Sequence, residues 1–459
     1  MFRRILIANR GEIALRVLRA CREMDIETVA VYSAADAESL PVQLATRAVC
    51  IGPAKAADSY LNQRAVLTAA KATGCDAVHP GYGFLSENAG FADACRGAGL
   101  IFIGPSGDTI RKAGCKAEAR ARMRDAGVPT VPGSDGAVPD EAAAARIAEE
   151  VGYPVLLKAS AGGGGRGIRR CDRPEELPAA FAEAQAEAVA CFGSGELYLE
   201  KCVLRPRHIE FQVLADRQGH TVHLGERDCS VQRRNQKLIE EAPARCLSAG
   251  LRAEMGEAAV RAARAVGYEN AGTVEFLLSE DNRFYFMEIN TRIQVEHAVT
   301  EMVTGVDLVR QQLCIAAGLP LSFRQEDVLL RGHAIECRIN AEDPSKDFRP
   351  CPGTASFVHF PGGCGVRVDS CLYSGEPLSP FYDSLAAKLI VHAPTRLKAI
   401  RRMRRALEEL TIEGIPTNAE FLHLVLYHPE FIRGACTTAF LEEHLSELAD
   451  WDRRAEGEA

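Results

Sequence analysis

Along residues 287–297 the chain reads MEINTRIQVEH, with a polar side chain on every second position. Extended backbone would put Glu288, Asn290, Arg292, Gln294 and Glu296 on one face and Met287, Ile289, Ile293 and Val295 on the other. Just upstream, residues 273–278 read as a second strand, 279–282 as a turn and 284–286 as the returning strand. Residues 1 to about 114 alternate between the two periodicities. Strands are expected at 5–8, 28–32, 77–79 and 100–103 and helices at 12–24 and near 60–73, which predicts an open parallel sheet with covering helices. Next come an Ala-rich helix over 116–126 and a Pro/Gly stretch at 128–133 that reads as a hinge. Helices near 141–150 and 175–189, with a glycine-rich loop between them, form a lid-sized unit of about 132–203. Strands at 208–214 and 222–225 join the hairpin as the opposing wall. From about 331, short strands begin with GHAIECR, and a basic helix over 396–409 and a C-terminal helix follow. The expected class is α/β, divided as 1–114, 115–330, 331–447 and a polar tail, 448–459.

The polar stripe at 287–297 is dense. Stripping such groups of water without compensation costs several kcal/mol or more apiece, so it is either a solvated sheet face or the floor of a site filled by metal and anions. The apolar opposite face favours the second reading. If the hairpin loop holds an even number of residues, Glu275 faces Phe286 and shares the face of Glu288, diagonally displaced by roughly 7–8 Å. A three-residue loop would separate them. With an even loop, Glu275, Glu288 and Asn290 make an all-oxygen cluster suited to Mg²⁺ or Mn²⁺. Magnesium held by one or two carboxylates usually completes its shell with nucleotide phosphates. The run KASAGGGGRG (158–167) lies between two expected strands, and its glycines, with Lys158 and Arg166, suit phosphate oxygens; a flexible linker is the bland alternative. No Gly-Lys dipeptide occurs, so a Walker loop is absent, and neither Asn9-Arg10-Gly11 nor Gly81-Tyr82-Gly83 completes a dinucleotide fingerprint.

At 459 residues, 25% charged and 47% hydrophobic, the composition is that of a globular protein of two to four domains. A net charge of −8 argues against a nucleic-acid partner, and no apolar run approaches a membrane span. The N-terminus enters a strand too soon for a signal peptide. Sixteen scattered cysteines without a CxxC pair read as reduced thiols in the cytoplasm. Cys229, near Asp228 and Lys237, is weighed as a thiol of lowered pKa. Lys398, Arg401, Arg402, Arg404 and Arg405 read as a solvated basic face or a dock for an acidic partner.

The chain resembles biotin carboxylase, of the ATP-grasp superfamily, along nearly its whole length. The matching segments are IANRGEIA (7–14), HPGYGFLSEN (79–88), KASAGGGGRG, PRHIEFQV (206–213), ERDCSVQRRNQK (226–237), EEAPA (240–244), MEINTRIQVEH, VTEMVTGVDLV (299–309) and GHAIECRINAEDP (332–344). The likeness points in particular to the stand-alone subunit of multisubunit acetyl-CoA carboxylase. It implies a Rossmann-like N-terminal domain, an ATP-grasp domain with a mobile glycine-rich lid and a C-terminal α+β domain. It also implies carboxylation of biotin with bicarbonate and ATP through carboxyphosphate. The chain stops where that module would end and has no lysine flanked by methionines, so biotin is expected on a separate carrier protein. Carboxyltransferase subunits and a homodimer are the other expected partners.

By the same resemblance, Lys116, Lys158, Gly164 and Gly165 hold ATP phosphates, and Glu200, Lys201, Cys202 and Val203 meet the adenine. His208, Gln232 and Asn235 lie near the nucleotide. Glu275 and Glu288, with Asn290, hold two Mg²⁺ or Mn²⁺ ions. Lys237, Arg292, Gln294 and the Val295 N–H hold bicarbonate, Glu296 is the base, and Arg338 meets the biotin ureido ring. Glu296 follows Arg292 by four positions, some 13 Å at ~3.3 Å per residue, so a bend or bulge is predicted between them. Asn235, Ala161, Cys115 and Cys364 depart from the family pattern. Cys364 stands at a dimer-contact position, to which Arg19 and Glu23 also match. Two other readings remain open at this stage: an ATP-grasp ligase joining a carboxylate to an amine, and a nucleotide-sensing scaffold without turnover.

Overall fold

The computed structural model describes residues 1–160 and 167–457. Its first sheet is all-parallel, in the order Arg47–Gly52, Glu27–Ser33, Arg4–Ile7, Ala77–His79, Ile101–Phe102. The strand Arg4–Ile7 is buried throughout, as a central parallel strand must be. The helix Gly11–Glu23 lays Ile13, Val17 and Leu18 onto the sheet. The edge strand Arg47–Gly52 is mostly exposed and carries no alternation that would reveal it beforehand.

A second, three-stranded antiparallel sheet has Val155–Ala159 between Ile168–Cys171 and Leu197–Lys201. The glycine-rich run therefore connects two paired strands, although residues 161–166, including Gly164 and Gly165, lie outside the described residues. The helices Glu141–Val151 and Leu177–Phe192 supply Ala144, Ala148, Phe181, Ala184 and Ala188 to this unit's own small core.

The largest sheet has eight strands: Phe284–Asn290, Asn270–Leu278, Arg207–Ala215, Thr221–Arg233, Gln236–Ala242, His333–Asn340, Leu385–Ala393, Val366–Asp369. Five precede residue 330 and three follow it. The boundary expected there thus falls inside one hydrogen-bonded sheet, joined where Ile239–Ala242 pair with Ala334–Cys337. One face is apolar, packed at one end by the helix Ala249–Ala265 and at the other by Arg396–Glu409. The other face carries a belt of buried charge, roofed by the helix His297–Thr304. The polar tail expected from 448 is instead the end of the helix Phe440–Gly457, and Leu448 is fully buried.

Two sequence expectations change. The alternating run at 287–297 is not one strand: it ends at Asn290, and the chain then bends and turns into the helix at His297. The hairpin loop, residues 279–283, holds five residues rather than an even number, since Leu278 pairs with Phe284. A five-residue loop alone would place Glu275 opposite Met287. A bulge between Phe276 and Glu275 shifts the register by one, so that Glu275 sits directly across from Glu288. The same shift puts Phe284, Phe286 and Ile289 together on the apolar face and leaves Met287 as the unpaired bulge residue.

Candidate active site

The bulged hairpin places Glu275 and Glu288 on one face of the sheet, and Glu210 of the neighbouring strand pairs with Glu275 on its other side. Three adjacent acids need cations. Lys237 supplies the first: its Nζ lies 2.6 Å from Glu210 Oε2, 3.0 Å from Glu275 Oε1 and 2.7 Å from Glu296 Oε1. The fully buried Arg227 supplies the second, donating to Glu210 (2.5 Å), Gln212 (2.9 Å), Thr273 (3.0 Å) and Thr300 (3.0 Å). Glu275 also accepts from Asn290 Nδ2 (2.9 Å) and Gln294 Nε2 (2.8 Å), with His208 Nε2 2.9 Å from its second oxygen. Burial would raise the Glu275 carboxyl, yet Lys237 and His208 outweigh it and hold it well below the usual range.

Glu288 is the contrast. Its carboxylate has no hydrogen bond or ion pair among the described residues, and burial, reinforced by the Glu275 charge, raises it against the pull of Lys116. An acid held beside another acid, with no donor of its own, fits a hard cation. Asn290 fits less simply, because its Oδ1 accepts from Arg292 Nη2 at 3.2 Å. The cluster of Glu210, Cys229 and Glu296 has metal-ligand spacing, but the Lys237 ammonium already bridges both acids. Cys229 is no activated thiol: burial, and then Glu210, push it well above its ordinary value.

Beyond Asn290 the turn brings the remaining stripe residues back onto the site. Arg292 donates to Glu87 (3.0 Å), Gln294 Oε1 (2.8 Å) and the Ile293 carbonyl (3.2 Å). Glu296 adds to the field on the Arg292 guanidinium, so the two share one electrostatic neighbourhood. The predicted bend between them is present as the turn at 291–296. Glu296 stands at the N-cap of the helix His297–Thr304, with Oε1 on Lys237 and Oε2 accepting from Arg338 Nη2 at 2.9 Å. Burial raises its carboxyl, but Lys237, Arg338 and Arg227 bring it below normal despite Glu210. Arg338 also donates from Nε to Glu240 at 2.6 Å. Val295 is fixed through its carbonyl, which accepts from the fully buried Lys388 at 2.8 Å.

On the lid unit, Glu200 bridges Arg120 (2.7 Å) and Lys158, joining the strand Leu197–Lys201 to the helix Lys116–Asp125. Lys116 opens that helix, near enough for its charge to oppose the rise at Glu288. Lys201 turns away from this cluster, its Nζ donating to the carbonyls of Gly152 (2.8 Å) and Tyr153 (2.7 Å). The Cys202 N–H is held by the Pro154 carbonyl (2.9 Å), and Val203 begins the connection to the large sheet. Gln232 is buried opposite Lys237. Asn235, with Arg234, forms the two-residue hairpin turn beside it; both have positive φ (63° and 50°), which asparagine tolerates well.

Glu87, Glu210, Arg227, Glu240 and Lys388 received no role from the sequence, although all but Lys388 lie inside matched segments. Glu210 alternates with apolar neighbours (Ile209, Phe211) on a central strand, a signal of burial that its charge masks, whereas Arg227 lies between Glu226 and Asp228 and carries no such signal.

A small antiparallel lid bearing Lys158 and Glu200, set over a sheet bearing paired acids, defines an ATP-grasp ligase. Three family profiles cover the chain in order: "Biotin carboxylase, N-terminal domain" over residues 1–110, "Carbamoyl-phosphate synthase L chain, ATP binding domain" over 115–324, and "Biotin carboxylase C-terminal domain" over 336–443. The chain belongs to the biotin carboxylase family, and its activity is that of a biotin carboxylase. It is 56% identical over 442 residues to the biotin carboxylase of Nostoc sp., covering 96% of this chain and 99% of that one. With biotin carboxylase 1 of Bacillus subtilis the identity is 55%, over 97% of this chain and 99% of the other. Among solved structures, a biotin carboxylase–β,γ-ATP complex from Campylobacter jejuni superposes with a TM-score of 0.94 at 48% identity, covering 97% and 99% of the two chains. The biotin carboxylase domain dimer of Hydrogenobacter thermophilus 2-oxoglutarate carboxylase, in complex with MgADP, ADP and bicarbonate, gives 0.92 at 52% identity, covering 97% and 98%.

Proposed function

We propose that this chain carboxylates biotin borne on a separate carrier protein, as the first half-reaction of an acetyl-CoA carboxylase. Carboxyltransferase subunits would take up the product. The observation that carries the site assignment is Glu296 held between Lys237 (2.7 Å) and Arg338 (2.9 Å) at the turn after the acidic hairpin. Bicarbonate is an anion that must be deprotonated while it meets a second anion. Lys237 and Arg292, with Gln294 and the Val295 N–H, hold it; the Arg292 fork suits two of its oxygens. As Lys237 and Arg338 turn toward bound anions, Glu296 loses compensating charge and its proton affinity rises, which suits a base.

Glu275 and Glu288, with Asn290, would hold Mg²⁺ or Mn²⁺, which supplies charge neutralisation for the nucleotide phosphates. Lys116 and Lys158, with Gly164 and Gly165, bind those phosphates. Lys158 and Glu200 pair here, so nucleotide entry exchanges one partner of that pair. Glu200 to Val203 meet the adenine, with His208, Gln232 and Asn235 alongside. Carboxyphosphate, formed between these clamps as ADP leaves, breaks into CO₂ and inorganic phosphate; CO₂ bonds to biotin N1 as the N1 proton passes to that phosphate, and Arg338 stabilises the enolate-like ureido oxygen. A homodimer and a cytoplasmic location complete the proposal. The solved dimer of the Hydrogenobacter relative supports the first, and no helix long and apolar enough to cross a membrane is found among the described residues.

The test is bicarbonate-dependent ADP release with free biotin added. Stimulation by biotin is expected in the native chain. Arg338→Gln should lose about 100-fold of that stimulated rate while the ATP Kd moves by less than about threefold. An equal loss of ATP binding would overturn the role given to Arg338.

A further inference from the structure

Behind Arg338 the polar face of the large sheet holds two acids without a full set of donors. Glu240 and Glu336 are directly opposed across the strands Gln236–Ala242 and His333–Asn340, and both are fully buried. Glu240 gives Oε1 to Arg338 Nε at 2.6 Å; its Oε2 and both oxygens of Glu336 find no hydrogen-bond partner among the described residues. Directly opposed residues in an antiparallel ladder keep their Cβ atoms about 4.5–5.5 Å apart. Two ionised carboxylates at that spacing, with three oxygens lacking donors, would be heavily penalised by repulsion and desolvation.

Burial outweighs the cations nearby: Lys388 and Arg338 pull Glu336 down, and Arg338 and Lys237 pull Glu240 down. Lys388, on the adjoining strand Leu385–Ala393, is committed to the Val295 carbonyl (2.8 Å), to Glu12 of the helix Gly11–Glu23 (3.2 Å) and to Asp369 of the edge strand (3.7 Å). Lys237, on the strand of Glu240, is bound by three other carboxylates. From the roofing helix come Glu296, an anion, and His297. The His297 Nδ1 lies 2.8 Å from the Gln294 carbonyl and so must carry the proton, leaving Nε2 a bare acceptor with no partner among the described residues.

We propose that Glu240 and Glu336 share one proton and act as a positioning pair for Arg338. Glu240 is the carboxylate that accepts from Arg338, and Glu336 is the neutral acid whose O–H is turned toward the free Glu240 oxygen. Burial acts in the same sense on both, pushing Glu240 up to about 7 and Glu336 well above the ordinary carboxylate range. The shared proton limits the pair to one negative charge. Ionising both would bind the guanidinium more tightly to the protein and oppose its engagement with a developing oxyanion. This consequence rests on the reading of Arg338 as the residue that meets biotin; the proton sharing does not.

Infrared difference spectra of the full chain, native against E336Q at neutral pH, test the proton. The expected result is loss of a protonated-carboxyl C=O band that shifts in D₂O; loss of carboxylate bands instead overturns the pair whatever Arg338 does. Kinetics test the positioning. E240Q should raise the KM for biotin about tenfold while changing biotin-free, bicarbonate-dependent ADP release by less than about threefold. In E336Q the alkaline fall of the biotin-stimulated rate should move to higher pH, with the biotin-free profile unmoved. If the infrared band is lost as expected but neither kinetic change occurs, the positioning role is wrong. Should E240Q not fold, the E336Q spectra and pH profile still decide both points.

Discussion

Glu296 Oε2 accepts a hydrogen bond from Arg338 Nη2 at 2.9 Å, joining residues 42 positions apart. The bond ties the turn that follows the acidic hairpin to the first strand contributed by the C-terminal region. It forms because that strand pairs directly with Gln236–Ala242, which brings Arg338 to the same face as Lys237 and the acids around it. The site proposed for bicarbonate and biotin is therefore assembled across one continuous sheet rather than across a domain cleft.

Arg292 touches Glu87, Asn290, Gln294 and the Ile293 carbonyl at once, a geometry only a planar fork provides. Arg292→Lys should raise the KM for bicarbonate by about tenfold or more with little change in the KM for ATP. Steady-state titration of bicarbonate at saturating nucleotide measures it. An unchanged bicarbonate KM would remove Arg292 from that site.

Arg227 is fully buried and pairs with the equally buried Glu210. Arg227→Met leaves Glu210 hydrogen-bonded, among the described residues, to Lys237, with His208 Nε2 3.9 Å away, and strips donors from Gln212, Thr273 and Thr300. Breaking such a pair from one side costs about 3–5 kcal/mol, to be read from urea unfolding. A loss below about 1 kcal/mol would show that Lys237 holds Glu210 without Arg227.

Glu241 lies on the other, apolar face, against His333 (2.8 Å) and Arg396 (2.6 Å). Burial raises its carboxyl, but those two partners win and bring it from 4.5 down to about 2. A folded-state value below the unfolded one means that this stabilisation is complete above about 4.5 and is lost as pH falls towards 2. At stake is on the order of 3 kcal/mol. Glu241→Gln should lower the melting temperature at neutral pH and flatten its decline on acidification. A decline as steep as the native one would assign the acid sensitivity to other carboxylates.

Much of the fold is legible locally. The helices over Gly11–Glu23 and Arg396–Glu409, and the strand Ala77–His79, lie where periodicity puts them, because burial of one face imposes that periodicity, while Lys116–Asp125 was legible from its alanine content. The helix Ala249–Ala265 was not foreseen: its alanines blur the contrast between faces.

By itself, then, the sequence determined that polar residues would gather near 275–296 opposite an apolar face, that a glycine-rich run would join two strands, and which family the motifs resemble. Tertiary structure alone decided the register. A five-residue loop and a compensating bulge, invisible to alternation counting, bring Glu275 face to face with Glu288, and a turn after Asn290 returns Glu296 to Lys237. It also decided how the buried charge is balanced, through Glu210, Arg227, Glu240 and Lys388. Periodicity reports which face of an element is buried; partners for buried charges come from strands distant in the chain, and desolvation settles that pairing only once the sheet has closed.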